Sequence, residues 1–220
     1  MIIWVAEQCG KVLGKKFVYI ATDDKRIASK VNEFGFKTIF TSKNCLTGTD
    51  RVAEASKKIN SEIYINVQGD EPLVKPEDIK KVIDKKLKYL NQVICGYTEI
   101  LTNEDPLNKN IPKIVLKENN DLMYISRSLI PGSKEKNLSG KYKYLKQVCI
   151  YAFNKNELHQ FYKLKRKSIV EKLEDIEILR FFEFGIKIKM VKTTSGSVAV
   201  DKKSDIIKVE RILKKNEKKN

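Results

Sequence analysis

Histidine is almost missing from this chain: His159 is the only one in 220 residues. A Ser/His or Cys/His nucleophilic pair therefore has a single candidate base, and a histidine-built zinc site has nothing to build with. Cysteine is sparse as well. Cys9, Cys45, Cys95 and Cys149 lie far apart with no CxxC pair, so they read as small buried hydrophobes rather than as metal ligands or a disulfide framework. No apolar run approaches the roughly 20 residues needed to cross a bilayer. Met1-Ile2-Ile3-Trp4-Val5 lacks the basic start and small-residue cleavage site of a secretory leader, so a cytoplasmic protein without membrane insertion is expected. Chemistry must rest on carboxylates, amides, lysines, arginines and backbone groups.

Arginine is also scarce. The net charge of +16 is carried mostly by lysine, with Arg26, Arg51, Arg127, Arg166, Arg180 and Arg211 the only arginines. Arginine is the better reader of bases and phosphates, and lysines spread over helix faces, as at Lys80-Lys81 and Lys85-Lys86, read as solvated surface. Nucleic acid is not the expected partner, although charge alone leaves a basic nucleic-acid-binding reading standing. A positive field would still gather small anions.

What is present is enough for one core. With 41% apolar residues the chain reads as a single domain over 1–220. Apolar residues at helical spacing from Ile2 to Leu13 predict an opening helix, and Phe17–Ala21 a buried strand. Helices at Asp24–Phe34 and Asp50–Ile59 then alternate with strands at Lys37–Thr41 and Ile63–Val67. That alternation predicts an α/β fold with a mixed, mostly parallel sheet and helices on both faces. After a helix at Glu77–Leu90 the texture changes. Strands are expected at Val93–Leu101, Lys113–Lys117, Leu122–Ser128 and Val148–Phe153, with a turn at Asn119–Asp121. Residues 132–143 read as a polar, mobile stretch. Helices at Asn156–Lys165 and Val170–Phe184, strands at Ile186–Lys192 and Val198–Val200, and a capped helix from Ser204 complete the chain.

The run Asn66-Val67-Gln68-Gly69-Asp70-Glu71-Pro72 places Asp70 at the carboxyl end of a buried strand, where open α/β sheets bind ligands. A carboxylate there suits Mg²⁺, which takes oxygen ligands and bridges to phosphates. An ordinary polar turn explains the run equally well on spacing alone.

VQGDEP, with TGTDRVAEA at Thr47–Ala55, YISRSLIP at Tyr124–Pro131 and VAVD at Val198–Asp201, resembles the 3-deoxy-manno-octulosonate (Kdo) cytidylyltransferase family in order and spacing. The resemblance implies a nucleotide-diphosphosugar-transferase-like, Rossmann-like fold, Mg²⁺ as cofactor, a homodimer, and CTP with an anionic keto-deoxy sugar as substrates. It implies CMP transfer to the sugar's anomeric hydroxyl with release of pyrophosphate, for lipopolysaccharide biosynthesis. Asp70 and Asp201 are the implied catalytic metal ligands. Thr49, Arg51 and Gln68 are implied for the nucleotide, and Gln68, Arg127, Tyr151 and Glu177 for the sugar. Residues 93–153 are the implied sugar-binding and dimerisation lobe. Helix capping at Thr49 or Asp50, a half-buried strand aromatic at Tyr151 and a solvated strand end at Asp201 are the purely structural readings of the same residues.

Three departures from the family pattern bear on function. Gln147-Val148-Cys149-Ile150-Tyr151 stands where the family has a run like HxGIY, and Glu177-Ile178-Leu179-Arg180 stands where it has Glu-Gln-Leu-Arg. Losing an imidazole and an amide from the sugar pocket leaves 8-amino Kdo or an acylneuraminate-like acid open beside Kdo. The family also opens with a central strand and a basic glycine loop of the form PARxxSxRxPGKPL, and Met1 corresponds to a position just past that loop. The expectation is that neighbouring strands carry unpaired backbone groups there, with a truncated, non-catalytic remnant as the alternative reading.

Overall fold

A computed structural model describes residues 1–134, 142–194, 199–200 and 202–217. Helix α1 (Ile2–Leu13) buries Val5 and Ala6 and ends at Gly14, whose φ of 82° suits glycine. Strand β1 (Tyr19–Thr22), helix α2 (Lys25–Glu33) and strand β2 (Lys37–Phe40) come after it. Helix α3 (Gly48–Ala55) starts earlier than its apolar spacing predicts. The reason is its cap, which is Thr47 rather than Thr49 or Asp50: the Thr47 side chain accepts from the Asp50 backbone N–H. Strand β3 (Ile63–Val67), helix α4 (Pro76–Lys88), strands β4 (Val93–Glu99), β5 (Lys113–Leu116), β6 (Leu122–Ser126) and β7 (Leu145–Asn154), and helix α5 (Lys155–Lys163) come next.

The helix expected over Val170–Phe184 is two pieces. Helix α6 (Ile169–Glu174) opens with a Ser168–Glu171 capping box and stops at Asp175, whose left-handed φ of 49° redirects the chain into a 3-10 helix at Glu177–Phe184. Strand β8 (Ile188–Lys192) and helix α7 (Lys203–Glu217) finish the fold. Ala199 and Val200 form no strand, and Val198 lies outside the described residues. Most of the polar stretch expected to be mobile, residues 135–141, also lies outside them.

The sheet is mixed, with helices on both faces, but its weight falls on antiparallel pairing. Among the described residues parallel pairs are confined to β1–β2 and β4–β8, while β7 runs antiparallel to β3, β4 and β5, and β5 antiparallel to β6. The long strand β7 causes this, since it enters between β3 and β4 in the reverse sense. Its side chains alternate across the sheet. Val148, Ile150 and Ala152 pack with Val5, Ile79 and Val82 of α1 and α4 on one face, and Tyr151 and Phe153 pack with Phe161, Leu179 and Phe181 on the other. Strands β1 and β2 form a separate two-stranded sheet: among the described residues no ladder joins β1 to β3.

Candidate active site

At the end of β3 the chain turns through Gln68–Asp70, and a cavity of about 800 Å³ opens beside it. Gln68, Asp70, Arg127, Lys146, Tyr151 and Glu177 are among its walls. Strand β3 delivers Gln68 and Asp70, β7 delivers Lys146 and Tyr151, and the start of the 3-10 helix delivers Glu177. Gly69 sits under the start of α1. A Cβ there would meet Ile2 Cδ1 at 2.8 Å, so glycine permits the close approach.

Glu177 ties two motifs together. Its carboxylate accepts from the Thr49 backbone N–H at 2.8 Å and from Gln68 Nε2 at 2.9 Å. Burial pushes its carboxyl above the ordinary range, against the opposing pull of the Thr49 hydrogen bond. Tyr151 is buried, its hydroxyl accepts from Gln147 Nε2 at 3.0 Å, and burial holds the phenol well above its ordinary value. The neighbouring Cys149 thiol is pushed well up for the same reason. These three cavity groups thus favour their protonated forms, and Cys149 offers no ready thiolate.

The resemblance-derived residues divide between two places. Gln68, Asp70, Arg127, Tyr151 and Glu177 meet in this cavity. Arg127 is held by backbone carbonyls, with Nε donating to Glu174 at 2.5 Å and the terminal nitrogens to Lys109 at 2.9 Å and Asp175 at 3.0 Å. Thr49 is buried on α3 and joins the site through its hydrogen bond to Glu177. Arg51 does not line this cavity. Its guanidinium donates to Thr41 Oγ1 at 2.6 Å and pairs with Asp23 at 3.0 Å, beyond the ends of β2 and β1, and it lines a second cleft that shares Gln68 and Asp70. Asp201 lies outside the described residues. The chain just before it is tied to the site, since the Val200 N–H donates to the Asp70 carbonyl at 2.9 Å.

Two readings of the family departures come apart here. Gln147 does line the cavity and supports Tyr151. Ile178 does not: it is fully buried in the apolar cluster with Phe153 and Phe181. Sequence reasoning missed Lys146, Lys167, Glu104 and Asp205 as cavity residues. Lys146 pairs with Glu104, and Lys167 with Asp175 at 2.7 Å. Nothing in a lysine-rich sequence distinguishes those two lysines from the solvated ones.

A carboxylate at a strand's carboxyl end, beside a polar cavity lined by Arg127, Lys146 and Lys167, is an arrangement a nucleotidyltransferase-type α/β fold can use. The comparisons with known proteins agree. A 4-diphosphocytidyl-2C-methyl-D-erythritol synthase from Anaerococcus prevotii shares the fold at 17% identity, with a TM-score of 0.61 over 97% of this chain and 86% of that one. A cytidylyltransferase family model matches residues 1–188. A 3-deoxy-manno-octulosonate cytidylyltransferase from Chloroherpeton thalassium is 36% identical over 98% of this chain and 87% of its own length, and one from Thermodesulfovibrio yellowstonii is 40% identical over 89% and 81%. A solved CMP:2-keto-3-deoxy-manno-octonic acid synthetase complexed with CTP matches at 32% identity and a TM-score of 0.88, covering 98% of this chain and 88% of that one. The chain belongs to the 3-deoxy-manno-octulosonate cytidylyltransferase family.

Proposed function

We propose that this protein transfers CMP from CTP to the anomeric hydroxyl of Kdo or a close 2-keto-3-deoxy sugar acid, releasing pyrophosphate. The observation that carries the reading is the convergence of Gln68, Asp70, Arg127, Tyr151 and Glu177 on one cavity, in a chain that matches a CTP-complexed relative over nearly its whole length. The reaction needs no covalent intermediate. The sugar hydroxyl attacks the α-phosphorus, and catalysis is positioning plus electrostatics.

Each residue has a task in that scheme. Gln68, locked by Glu177, presents a fixed amide to a polar ligand. Lys146, Lys167 and Arg127 place cations on the cavity wall, each held by a neighbouring carboxylate, where an anionic ligand can exchange into their hydrogen bonds. Thr49 and Arg51 serve the nucleotide, and Arg127, Tyr151 and Glu177 the sugar. Asp70 and Glu71 bring hard carboxylate oxygens to the cavity wall, the donor chemistry that Mg²⁺ takes, with Asp201 as the further ligand. Bound Mg²⁺ would neutralise charge on the phosphate oxygens. Among the described residues, no helix is long and apolar enough to cross a membrane. We place the reaction in the cytoplasm, serving lipopolysaccharide synthesis. The protein works as a homodimer whose contact is the 93–153 lobe, where Leu101, Leu107, Met123 and Tyr124 are exposed.

The test is pyrophosphate release from CTP and Mg²⁺ over a panel of 2-keto-3-deoxy sugar acids that includes Kdo and its 8-amino analogue. Release with one of them is the expected outcome. Release with none of them would sink the reading.

A further inference from the structure

Four polar side chains cross the sheet in one row. Ser126 of β6 stands opposite Lys113 of β5, Lys113 opposite Lys146 of β7, and Lys146 opposite Thr98 of β4. Directly opposed residues of antiparallel strands share a face, so all four point the same way. All four are buried, Lys113 completely. Against this row lies the connection from β4 to β5, residues 100–112, which forms neither helix nor strand. Irregular connections of about that length are uncommon in packed domains, and those that occur mostly serve a site. Here Asn103, Asp105, Asn108 and Asn110 from the connection line the 800 Å³ cavity, so it is one of the cavity's walls. Lys146 fastens it at Glu104, and Lys113 at the Asn108 carbonyl.

Lys113 differs from the other fully buried cations. Lys86 and Arg180 each face carboxylates, whereas among the described residues Lys113 pairs with none. Its ammonium donates to two main-chain carbonyls instead, Asn108 at 3.0 Å and Arg127 at 2.5 Å. Arg127 closes the ring by donating to the next carbonyl of the wall, Lys109, at 2.9 Å. A buried ammonium is costly where an apolar side chain would pack. Burial lowers the Lys113 pKa, and the charge of Arg127 lowers it further, while Asp105 and Glu174 each offset this by less. Two neighbouring cations thus share a place that an anion on Arg127 would relieve. The three carbonyls that hold the guanidinium leave one N–H on each terminal nitrogen for a ligand's carboxylate. We propose that Lys113 is a positioning residue for sugar-acid binding: through the Asn108 and Arg127 carbonyls it fixes the Arg127 guanidinium against the 100–112 wall, and so sets the cavity's affinity for the anionic sugar acid and not for CTP. The inference rests on the reading that Arg127 serves the sugar.

Steady-state kinetics of the full chain with CTP, Mg²⁺ and Kdo as the probe test this. Lys113→Met keeps a long stem and deletes the ammonium, and Lys113→Arg keeps a charged donor. The expected result for Lys113→Met is a KM for Kdo raised about tenfold or more, with the KM for CTP within about twofold of wild type and part of the loss recovered in Lys113→Arg. Added to Arg127→Lys, Lys113→Met should raise the Kdo KM by less than about twofold more, because both changes act through one side chain. Equal rises in the two KM values, an unmoved Kdo KM, or losses that multiply in the double variant would overturn the proposal. So would loss of the fold in both single variants by circular dichroism, since Lys113 would then be framework alone. Hydrogen–deuterium exchange separates this inference from the reaction it rests on. The Asn110 and Ile111 amides, which donate to the Asn108 side chain and carbonyl, should exchange about tenfold faster in Lys113→Met while β3 is unchanged. A wild type that turns over no sugar acid would defeat the proposed reaction and with it the role in sugar binding, and the exchange result would then decide by itself whether Lys113 fixes the wall.

Discussion

Glu177 is the side chain on which most of the site's order depends, because one carboxylate holds both the α3 turn and Gln68. Its pKa is raised above the ordinary 4.5 by burial. The folded state therefore favours the proton, and Glu177's contribution to stability is fully present below about pH 4.5 and lost as the pH rises through the raised value. Glu177→Gln removes the titration and keeps the shape. Thermal unfolding across this range is expected to show the wild type losing stability relative to Glu177→Gln as the pH rises; parallel curves would refute the assignment. Asp70 has a different role, at the mouth rather than in the clamp. Asp70→Asn keeps the volume and deletes the charge, so turnover should fall by about a hundredfold or more, comparable to removing one transition-state electrostatic contact. Circular dichroism should be unchanged. Full turnover in Asp70→Asn would rule Asp70 out as the proposed metal ligand.

Two buried cations, Lys86 and Arg180, join elements that the chain keeps far apart. Lys86, fully buried near the end of α4, donates to Glu157 at 2.7 Å and to the Leu90 and Gln92 carbonyls at 2.9 Å and 2.7 Å. Glu157 also accepts from the Asn154 N–H and so completes the capping box of α5. One lysine thus fastens the α4 exit to the α5 entry. Burial lowers the Lys86 pKa and raises that of Glu157, while their mutual hydrogen bond opposes both shifts. Lys86→Ala would strand the carboxylate, and urea denaturation should show a loss of about 3 to 5 kcal/mol. A loss below about 1 kcal/mol, the size of an exposed pair, would contradict the burial argument. Arg180 does the same for the 3-10 helix. It donates to Asp50 at 2.8 Å and Glu171 at 2.6 Å, with its guanidinium over the Phe161 ring at 3.9 Å. Asp50 is thereby committed to the framework and Thr49 is set in place beside it.

The molecule as a whole sets a polar cavity at the carboxyl end of β3 and leaves Leu101, Leu107, Met123 and Tyr124 exposed within residues 93–153. On the β5–β6 hairpin Met123 is 54% exposed, and Leu107, ahead of β5, is 68% exposed. If this surface is the contact between two copies, Met123→Asp should convert dimer to monomer in sedimentation velocity, because a charge in an apolar interface must be desolvated without a partner. A wild type that sediments as a monomer at every concentration would end the dimer proposal.

Much of this was legible in the residues. The alternation of β1, α2, β2, α3 and β3 follows from apolar spacing, and Asp70 at a strand end follows from the run that contains it, since local periodicity and turn chemistry are short-range properties. That run's company with Thr47–Ala55, Tyr124–Pro131 and Asp201 is what points from a polar turn to a candidate site. Other features depend on residues far apart in the chain. The antiparallel weight of the sheet comes from β7 passing between strands laid down much earlier. The Glu177 clamp spans 128 residues to Thr49, and Ile178, next to it in the chain, turns into the core. Asp70 at a strand's carboxyl end is therefore a local property that the residues themselves determine, while its neighbours on the cavity wall and the protonation of Glu177, Tyr151 and Cys149 follow from packing, which no local pattern encodes.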